Sequence, residues 1–357
     1  MSVTNTPVPV RKGEEIPLSA LLDWMREEVS GVKGPLSVLQ YPGGFSNLTY
    51  LISDENKNAW VLRRPPLGVK SGTAHDMLRE YHILSALESK KIAPAPIAYC
   101  ENNSVIGAPF YLMENVSGTV LRTKLPDSPQ ASSAILRKLS DQSMKVLTAI
   151  HSTDWQESSV LRNMARPEGY VSRQIEGWGK RYQLAETKTI GGAEEVMEWL
   201  DEEQPTESDA CLIHNDFKYD NLILNPNNWS LITAVLDWEM ATIGDPLMDL
   251  GTTLGYWTEP NDPAALKMFS VTHLENNLSR FELLQRYEEY SGRTVENPVY
   301  YYTFGVFKIA VIAEQIYARY KKGLTQDARF ASLHKVTEAA IQLAVQAIET
   351  DSFSHQK

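Results

Sequence analysis

The most informative segment of the chain is His214-Asn215-Asp216-Phe217-Lys218-Tyr219-Asp220-Asn221, which has the form H-x-D-x-K-x-x-N. A second aspartate, Asp237, follows sixteen residues after this octet. Two short apolar runs lie between them, separated by Asn225-Pro226-Asn227-Asn228, and this pattern predicts a β-hairpin. Either Asp216 or Asn221 alone could simply satisfy the backbone of a turn. The four matched positions together with the second aspartate favour a catalytic role.

These side chains fit phosphoryl transfer from a nucleotide. That reaction needs a carboxylate to hold the acceptor hydroxyl in line, oxygen ligands for magnesium and cations against the transferred phosphate. Asp216 and Lys218 are the predicted catalytic residues, since they supply the carboxylate and a cation. Asn221 and Asp237 are the predicted Mg²⁺ ligands, which a hairpin between them would bring to one ion. Whether Glu239 assists the metal or faces solvent stays open.

The overall composition is that of a globular protein. Of its 357 residues, 43% are hydrophobic and 22% are charged, and the length suggests about two domains. The net charge of −11 argues against a nucleic-acid or membrane partner. Two cysteines, Cys100 and Cys211, fit a reducing compartment, and no apolar leader or bilayer-length apolar run is visible. We therefore expect a cytoplasmic protein.

The pattern of apolar residues divides the chain into a flexible arm at 1–16, a β-rich lobe at 17–116 and a helical lobe at 117–357. Alternating residues in 36–63 predict three antiparallel strands, and short strands follow near 97–100 and 108–113. A helix at about 74–91 is inserted after the third strand. Within the last lobe, 3.6-residue spacing predicts helices at 131–151, 171–185, 191–203, 245–256, 262–290, 298–322 and 326–349.

Taken together, these motifs resemble the aminoglycoside phosphotransferase family, the small-molecule branch of the protein-kinase-like fold. The resemblance covers about residues 35–345. It is strongest to the branch resembling the phosphotransferase domain that is fused to acyl-CoA dehydrogenases in some animals. The segments that carry this closer resemblance are residues 41–50, 61–66, 79–81, 236–239 and 244–251. It implies an α+β, bilobal fold with a five-stranded antiparallel sheet plus helix in a small N-lobe and a larger helical C-lobe.

The resemblance also implies an ATP site. Gly44, Ser46 and Asn47 would belong to a turn over the phosphates, although the full G-x-G-x-x-G motif is missing. Arg63 on the third strand would replace the phosphate-binding lysine of kinases and pair with Glu80 in the following helix.

One question about this ATP site is which of two neighbouring arginines faces the phosphates. Arg64 competes with Arg63 for the role against the phosphates, because strand alternation turns only one of them to the nucleotide. In the connection between the lobes, Met113 would lie behind the adenine, while Glu114 and Val116 would supply main-chain groups to its edge.

The implied function is ATP-dependent transfer of the γ-phosphoryl group to a hydroxyl of a small-molecule acceptor. The branch resemblance favours a metabolic hydroxy compound such as a hydroxyacyl thioester, for which Arg166, Arg173 and Arg181 would suit an anionic carrier. Two alternatives remain open at this point. One is an aminoglycoside O-phosphotransferase, and the other is a catalytically silent nucleotide-binding module.

Overall fold

The computed structural model describes residues 6–42, 47–66, 76–128, 130–268, 270–325 and 327–355. The chain forms two compact units. The first unit runs to Val120 and includes Leu222–Asn228 and Ile232–Ala241, and the second contains Leu121–Asn221, Trp229–Leu231 and Thr242–Lys357. The predicted domain limits after residues 16 and 116 stay predictions. Most of the predicted hairpin belongs to the first unit.

The first unit is built on a five-stranded antiparallel sheet in the order β1-β2-β3-β5-β4. Its strands are β1 Ser37–Gln40, β2 Leu48–Ser53, β3 Ala59–Arg64, β4 Pro96–Cys100 and β5 Phe110–Glu114. Its helices are α1 Leu18–Glu28, α2 Met77–Leu87 and α3 Asn103–Ile106. Helix α2 is shorter than the predicted 74–91, since Asp76 caps its N-terminus and a 3-10 turn, Glu88–Lys90, follows it.

One face of the sheet forms the hydrophobic core of this unit. Burial alternates along β2, where Tyr50 and Ile52 are fully buried and their neighbours are partly exposed. Leu62 of β3 joins the same cluster. Leu21 and Met25 of α1 are fully buried and also join it, so an amphipathic helix covers the apolar face.

The N-terminal segment before α1 makes ordered contacts with the sheet. Val8 and Gln40 exchange two main-chain hydrogen bonds, of 2.8 and 2.7 Å. The carbonyl of Glu14 accepts from the Tyr50 hydroxyl at 2.8 Å and from the Arg64 guanidinium at 3.0 Å. Residues 8–14 of the segment interpreted as a flexible arm are therefore hydrogen-bonded to β1, β2 and β3.

The second unit is mainly helical. Its helices are α4 Ser133–His151, α5 Ser159–Met164, α6 Tyr170–Ala185, α7 Ala193–Glu202, α8 Pro246–Tyr256, α9 Ala264–Lys267, α10 Arg280–Ser291, α11 Pro298–Lys321 and α12 Leu333–Thr350. Strand β6 Cys211–Ile213 pairs antiparallel with β9 Thr242–Gly244, a pair that apolar spacing had not revealed. The predicted hairpin, formed by β7 Leu222–Asn225 and β8 Asn228–Val235, lies between the two strands of this pair in the chain but belongs mostly to the first unit.

Two helix predictions need correction. The helix predicted over 262–290 is two helices, because Ser279 and Glu282 form a capping box that starts α10 at Arg280. The helix predicted from 326 begins only at Leu333, after a 3-10 turn at Ala328–Ser332. Across the described residues, we find no helix with both the length and the apolarity that crossing a bilayer requires.

Close contact between α8 and α11 depends on glycine. A Cβ atom on Gly251 would lie 2.1 Å from the main-chain oxygen of Tyr301, and one on Gly305 would lie 2.0 Å from the oxygen of Gly251. Such distances are far below van der Waals contact, so only glycine allows these two backbones to touch. Since α8 carries Asp249, this contact also sets the position of the candidate site.

We predict that Gly251→Ala lowers the free energy of unfolding by about 3 kcal/mol, because the added methyl group forces two packed helix backbones apart. Urea denaturation of the purified variant measures the loss. Gly191→Ala is the matched control, because a Cβ at Gly191 meets no atom within 4 Å. Equal stability of the two variants would contradict this account of the contact.

Candidate active site

The octet lies in the loop that connects β6 to β7, and it brings three predicted residues into direct contact. The side-chain amide of Asn221 donates to the main-chain oxygen and to Oδ2 of Asp216, both at 2.9 Å. Lys218 Nζ lies 3.1 Å from the same Oδ2. The loop therefore presents a partly buried carboxylate whose Oδ2 is held by both an amide and an ammonium group.

Lys218 keeps its charge in this position. Burial disfavours its ammonium group, but attraction to Asp216 and Asp220 outweighs burial and holds the pKa of Lys218 well above its ordinary value. The ammonium group also lies 4.7 Å from the ring centre of Tyr256, within cation–π distance. Burial, followed by the negative charge of Asp216, raises the pKa of the Tyr256 hydroxyl.

A buried carboxylate on α8 supports the loop from behind. Asp249 accepts from the main-chain N–H of His214 through Oδ2 and from that of Asn215 through Oδ1, both at 2.7 Å. The Nε2–H of His151 donates to Asp249 Oδ2 at 3.1 Å, and His151 Nδ1 lies 2.8 Å from the Tyr287 hydroxyl. Burial alone would raise the pKa of Asp249, but these hydrogen bonds and nearby charges lower it, so the carboxylate stays ionised.

Only some of the residues that brace this loop could be recognised from the sequence. Asp249 lies in segment 244–251, one of those that carry the family resemblance, and it braces the loop through these two short hydrogen bonds. His151 and Tyr287 were missed, since a lone histidine at a helix end and a tyrosine inside a helix carry no spacing signal. His214 is fully buried and accepts from the Asp216 N–H through Nδ1 at 3.2 Å, which fits a bracing role.

A second group of charged residues lies in the first unit and centres on Arg63. Its Nη2 is 2.7 Å from Asp237 Oδ1 and 2.9 Å from Glu239 Oε2, and its Nε is 3.3 Å from Glu80 Oε2. Burial disfavours the guanidinium charge, but attraction to the three carboxylates outweighs burial and holds the pKa of Arg63 well above its usual value. Burial raises the pKa of Glu80 in spite of Arg63. The predicted Arg63–Glu80 pair is therefore part of a larger cluster.

The neighbouring Arg64 points to the other face of β3. It is fully buried and donates to the Tyr50 hydroxyl at 3.0 Å and to the carbonyl of Glu14. Alternation along β3 thus turns Arg63 towards the acidic side chains and Arg64 towards the opposite face of the sheet.

Asp237 occupies an unusual backbone conformation. Its φ of 67° and ψ of 61° lie in the left-handed region, where aspartate is among the few tolerated residues, and a 3-10 turn, Trp238–Met240, follows. Asn47 is buried and donates to Glu239 Oε2 at 2.9 Å, while Arg79 of α2 donates to the carbonyl of Glu239 at 2.9 Å. The side chains of Asn47, just before β2, and of Arg79 in α2 thus fix the segment after Asp237.

The remaining predicted nucleotide residues lie in or near β5. Met113 is buried opposite Val61, and Glu114 pairs with Trp60 and donates its N–H to the carbonyl of Ala95 at 2.8 Å. Val116 packs against the small apolar cluster that includes Ile223. Gly44 and Ser46 lie outside the described residues.

The predicted residues therefore fall into two sets, each assembled within one unit. Asp216, Lys218 and Asn221 belong to the second unit. The others that the structure describes belong to the first unit, namely Asn47, Arg63, Glu80, Met113, Glu114, Val116 and Asp237.

Comparison with known proteins identifies the family. The sequence profile of the phosphotransferase enzyme family matches residues 37–288. The chain is 33% identical to acyl-CoA dehydrogenase family member 10 of Mus musculus over 96% of its length, and 34% identical to family member 11 of Gallus gallus over 88%. These alignments cover 32% of the mouse protein and 40% of the chicken protein, so the chain spans less than half the length of either relative.

Solved structures show the same fold. A Ralstonia eutropha protein assigned to the aminoglycoside phosphotransferases superimposes with a TM-score of 0.80 at 30% identity, covering 96% of this chain and 100% of that one. Choline kinase from Cryptosporidium parvum gives 0.63 at 14% identity, covering 94% and 97%. A mutant of aminoglycoside phosphotransferase APH(4)-Ia with AMP-PNP and hygromycin B gives 0.57 at 16% identity, covering 91% and 98%. The expected α+β kinase-like fold and the family resemblance are confirmed.

We predict that Arg63→Met lowers the free energy of unfolding at pH 7 by about 3–5 kcal/mol, because three carboxylates lose the cation that compensates them. Burial already raises the pKa of Glu80, and without Arg63 this pKa rises further above its unfolded value. The folded protein then binds more protons, and the deficit shrinks as the pH falls from 7 to 5. Urea denaturation at both pH values measures this change.

The control for this experiment is Arg26→Met. Arg26 is exposed and lies 3.9 Å from Asp23, so its loss should change the free energy of unfolding by less than about 1 kcal/mol at either pH. An Arg63→Met deficit that grows on acidification would contradict the electrostatic account of the cluster.

Proposed function

Because the chain belongs to the phosphotransferase enzyme family, we propose that it transfers the γ-phosphoryl group of ATP to a hydroxyl group of a small-molecule acceptor. The observation that carries the proposal is the geometry of Asp216. Its carboxylate is held by Asn221 and Lys218 on a loop whose main-chain amides are bound by Asp249. Such a fixed carboxylate is what phosphoryl transfer needs to orient an acceptor hydroxyl.

Asp216 acts as the base in the proposed reaction. It accepts a hydrogen bond from the acceptor hydroxyl and finally takes its proton, while the acceptor oxygen bonds to the γ-phosphorus. The bond from the γ-phosphorus to the bridging oxygen breaks, and ADP leaves with that electron pair. Lys218, whose ammonium group is 3.1 Å from Asp216, offsets negative charge as the phosphoryl group moves.

Asn221 and Asp237 are proposed to hold Mg²⁺, which would neutralise charge on the phosphates when bound. Their chemistry fits, since amide and carboxylate oxygens are the hard ligands that magnesium prefers. Asn221 uses its NH₂ group for Asp216, which leaves its side-chain oxygen as the ligand atom. Asp237 is one-third exposed, so its carboxylate is open to solvent as well as to Arg63.

The ATP site itself is proposed for the first unit. Arg63, oriented by Glu80, supplies positive charge for the phosphates, and Asn47 with Gly44 and Ser46 belongs to the phosphate turn. At the adenine, Met113 lies behind the ring. The N–H of Glu114 is already donated to Ala95, so Glu114 offers its carbonyl and Val116 its N–H. The AMP-PNP complex of APH(4)-Ia supports ATP as the donor.

The acceptor is proposed to be a metabolic hydroxy compound such as a hydroxyacyl thioester. The relatives named acyl-CoA dehydrogenase family members support this class, because this chain matches one portion of each. Of the arginines suited to an anionic carrier, Arg173 donates to the carbonyls of Arg166 and Glu168 and is committed to its own loop. Exposed Arg181, which lies 4.6 Å from the ring centre of Trp178, is the better candidate for the carrier.

An aminoglycoside acceptor is the second candidate. The net charge of −11 would attract a polycation, and the Ralstonia protein is assigned to the aminoglycoside phosphotransferases. A catalytically silent nucleotide-binding module is the third hypothesis. Nucleotide binding without phosphoryl transfer to any acceptor would support it.

We predict that Asp216→Asn and Asp237→Asn separate catalysis from nucleotide binding. Asp216→Asn should lower kcat by about 10²–10⁴-fold, with the Kd for Mg-ATP within about threefold of the wild type, since only the base is lost. Asp237→Asn should weaken Mg-ATP binding at least about tenfold, because a charged metal ligand is lost. Titration calorimetry and ADP release measure both quantities.

The control is Asp154→Asn, an exposed carboxylate outside the proposed machinery, which should leave both quantities unchanged. Wild-type turnover in Asp216→Asn would remove the assigned base. Unaltered magnesium-dependent binding in Asp237→Asn would place the metal elsewhere.

The acceptor class predicts a preference that kinetics can measure. We expect kcat/KM for a hydroxyacyl-CoA to exceed that for any aminoglycoside by at least about tenfold. Arg181→Ala should lower kcat/KM for the thioester by about 5–30-fold, since a charge-assisted contact is worth about 1–2 kcal/mol. The reverse preference, with Arg181→Ala unaffected, would favour the aminoglycoside reading.

A further inference from the structure

Lys308 interrupts the apolar sequence of α11, and the structure places its side chain against the candidate catalytic loop. The residue is 1% exposed. Its Nζ donates to the main-chain oxygen of Asn215 at 2.7 Å and lies 3.4 Å from the Thr252 hydroxyl. The ring centre of Trp178 is 5.5 Å away, within cation–π distance. A buried ammonium group thus has one short, charge-assisted hydrogen bond, and it ends on the residue before Asp216.

That hydrogen bond acts on a single peptide group. The carbonyl of Asn215 and the N–H of Asp216 belong to the same planar unit. Lys308 holds the oxygen of this unit, and His214 Nδ1 accepts from its N–H at 3.2 Å. Hydrogen bonds at both ends therefore restrain the rotation of this peptide plane. They act next to Asn215, whose φ of 66° lies in the left-handed region. The orientation of this peptide plane sets the direction in which the side chain of Asp216 extends from the main chain.

Asn215 is fixed through its side chain as well. Its Nδ2 donates to the Tyr170 hydroxyl at 3.2 Å, and its Oδ1 lies 3.5 Å from Lys308 Nζ. Tyr170 and Asn215 are both buried. The loop is therefore held by Lys308 and Tyr170 in addition to the carboxylate of Asp249.

We propose that Lys308 is a positioning residue of the phosphoryl transfer, which fixes the Asn215–Asp216 peptide so that the Asp216 carboxylate meets the acceptor hydroxyl. The inference rests on the proposed function, in which Asp216 is the base. An uncharged side chain would avoid the desolvation of an ammonium group, but it would give a weaker hydrogen bond or none.

The charge on Lys308 makes this role dependent on pH. Burial lowers the pKa of Lys308 to about 8, against an opposing effect of nearby carboxylates. The charged and titratable groups that face it from the loop, α6 and α8 are Asp216, Lys218, His214, Tyr170, Arg181 and Asp249. Lys308 is charged below about pH 8 and neutral above it, so its hydrogen bond to the carbonyl weakens as the pH rises.

The test compares the wild type with Lys308→Met, Lys308→Arg and the control Lys321→Met, an exposed lysine on the same helix. We expect Lys308→Met to lower kcat by about 10–100-fold while the Kd for Mg-ATP stays within about twofold. Its unfolding midpoint at pH 7 should shift by no more than about 3 °C, since loss of a hydrogen bond is offset by loss of a buried charge. Wild-type kcat should fall as the pH rises through about 8, and Lys308→Arg should remain active without that fall.

A second measurement does not require turnover. Amide hydrogen exchange of residues 214–218, followed by mass spectrometry, should be faster in Lys308→Met than in the wild type and unchanged in Lys321→Met. Unchanged exchange, or a wild-type kcat that is flat from pH 7 to 9, would overturn the inference. So would a loss of kcat that is matched by losses of nucleotide binding and thermal stability. If the wild type transfers no phosphate at all, the proposed function fails, and exchange alone still decides whether Lys308 holds the loop.

Discussion

The carboxylate of Asp249 binds two consecutive main-chain amides, those of His214 and Asn215, and the candidate catalytic loop depends on this interaction. A buried carboxylate is stable only when its oxygens are fully hydrogen-bonded, and His151 supplies the third donor. Strand β6 ends at Ile213, so the N–H groups of His214 and Asn215 find their hydrogen-bond acceptor in Asp249 instead of in a neighbouring strand. The side chain of Asp216 therefore extends from a rigid main chain. Such pre-organisation is what in-line phosphoryl transfer requires.

In the first unit, the main electrostatic feature is a buried cluster of one arginine and three carboxylates. Arg63 is buried among Glu80, Asp237 and Glu239, so one cation meets three potential anions. This excess of negative charge fits the proposed magnesium site, because a bound cation would relieve repulsion that Arg63 alone cannot. The left-handed backbone of Asp237 is consistent with such a site, since strained conformations are often retained where function requires them.

Much of this arrangement could be predicted from sequence because its signals are local. The octet marked Asp216, Lys218 and Asn221 as candidate site residues, which the structure then places in contact with one another, and period-two alternation predicted the sheet. The residues that were missed act through space. Lys308 contacts the octet directly and His151 acts on it through Asp249, but both residues lie far from the octet in sequence, so the spacing of the motif does not reveal them. The break between α9 and α10 was missed for the opposite reason, because a capping box overrode apolar spacing that continued through it.

Mass spectrometry of the products formed from Mg-ATP and pooled hydroxyl acceptors decides whether the protein transfers phosphate through Asp216. The pools contain hydroxyacyl-CoA thioesters, aminoglycosides, amino alcohols and sugars, and Asp216→Asn serves as the blank. We expect an acceptor that gains one phosphate with the wild type and not with the variant, and the pool that contains it identifies the substrate class. A phosphorylated product formed equally by both proteins would contradict the role of Asp216. Binding of Mg-ATP without any product would indicate a nucleotide-binding module.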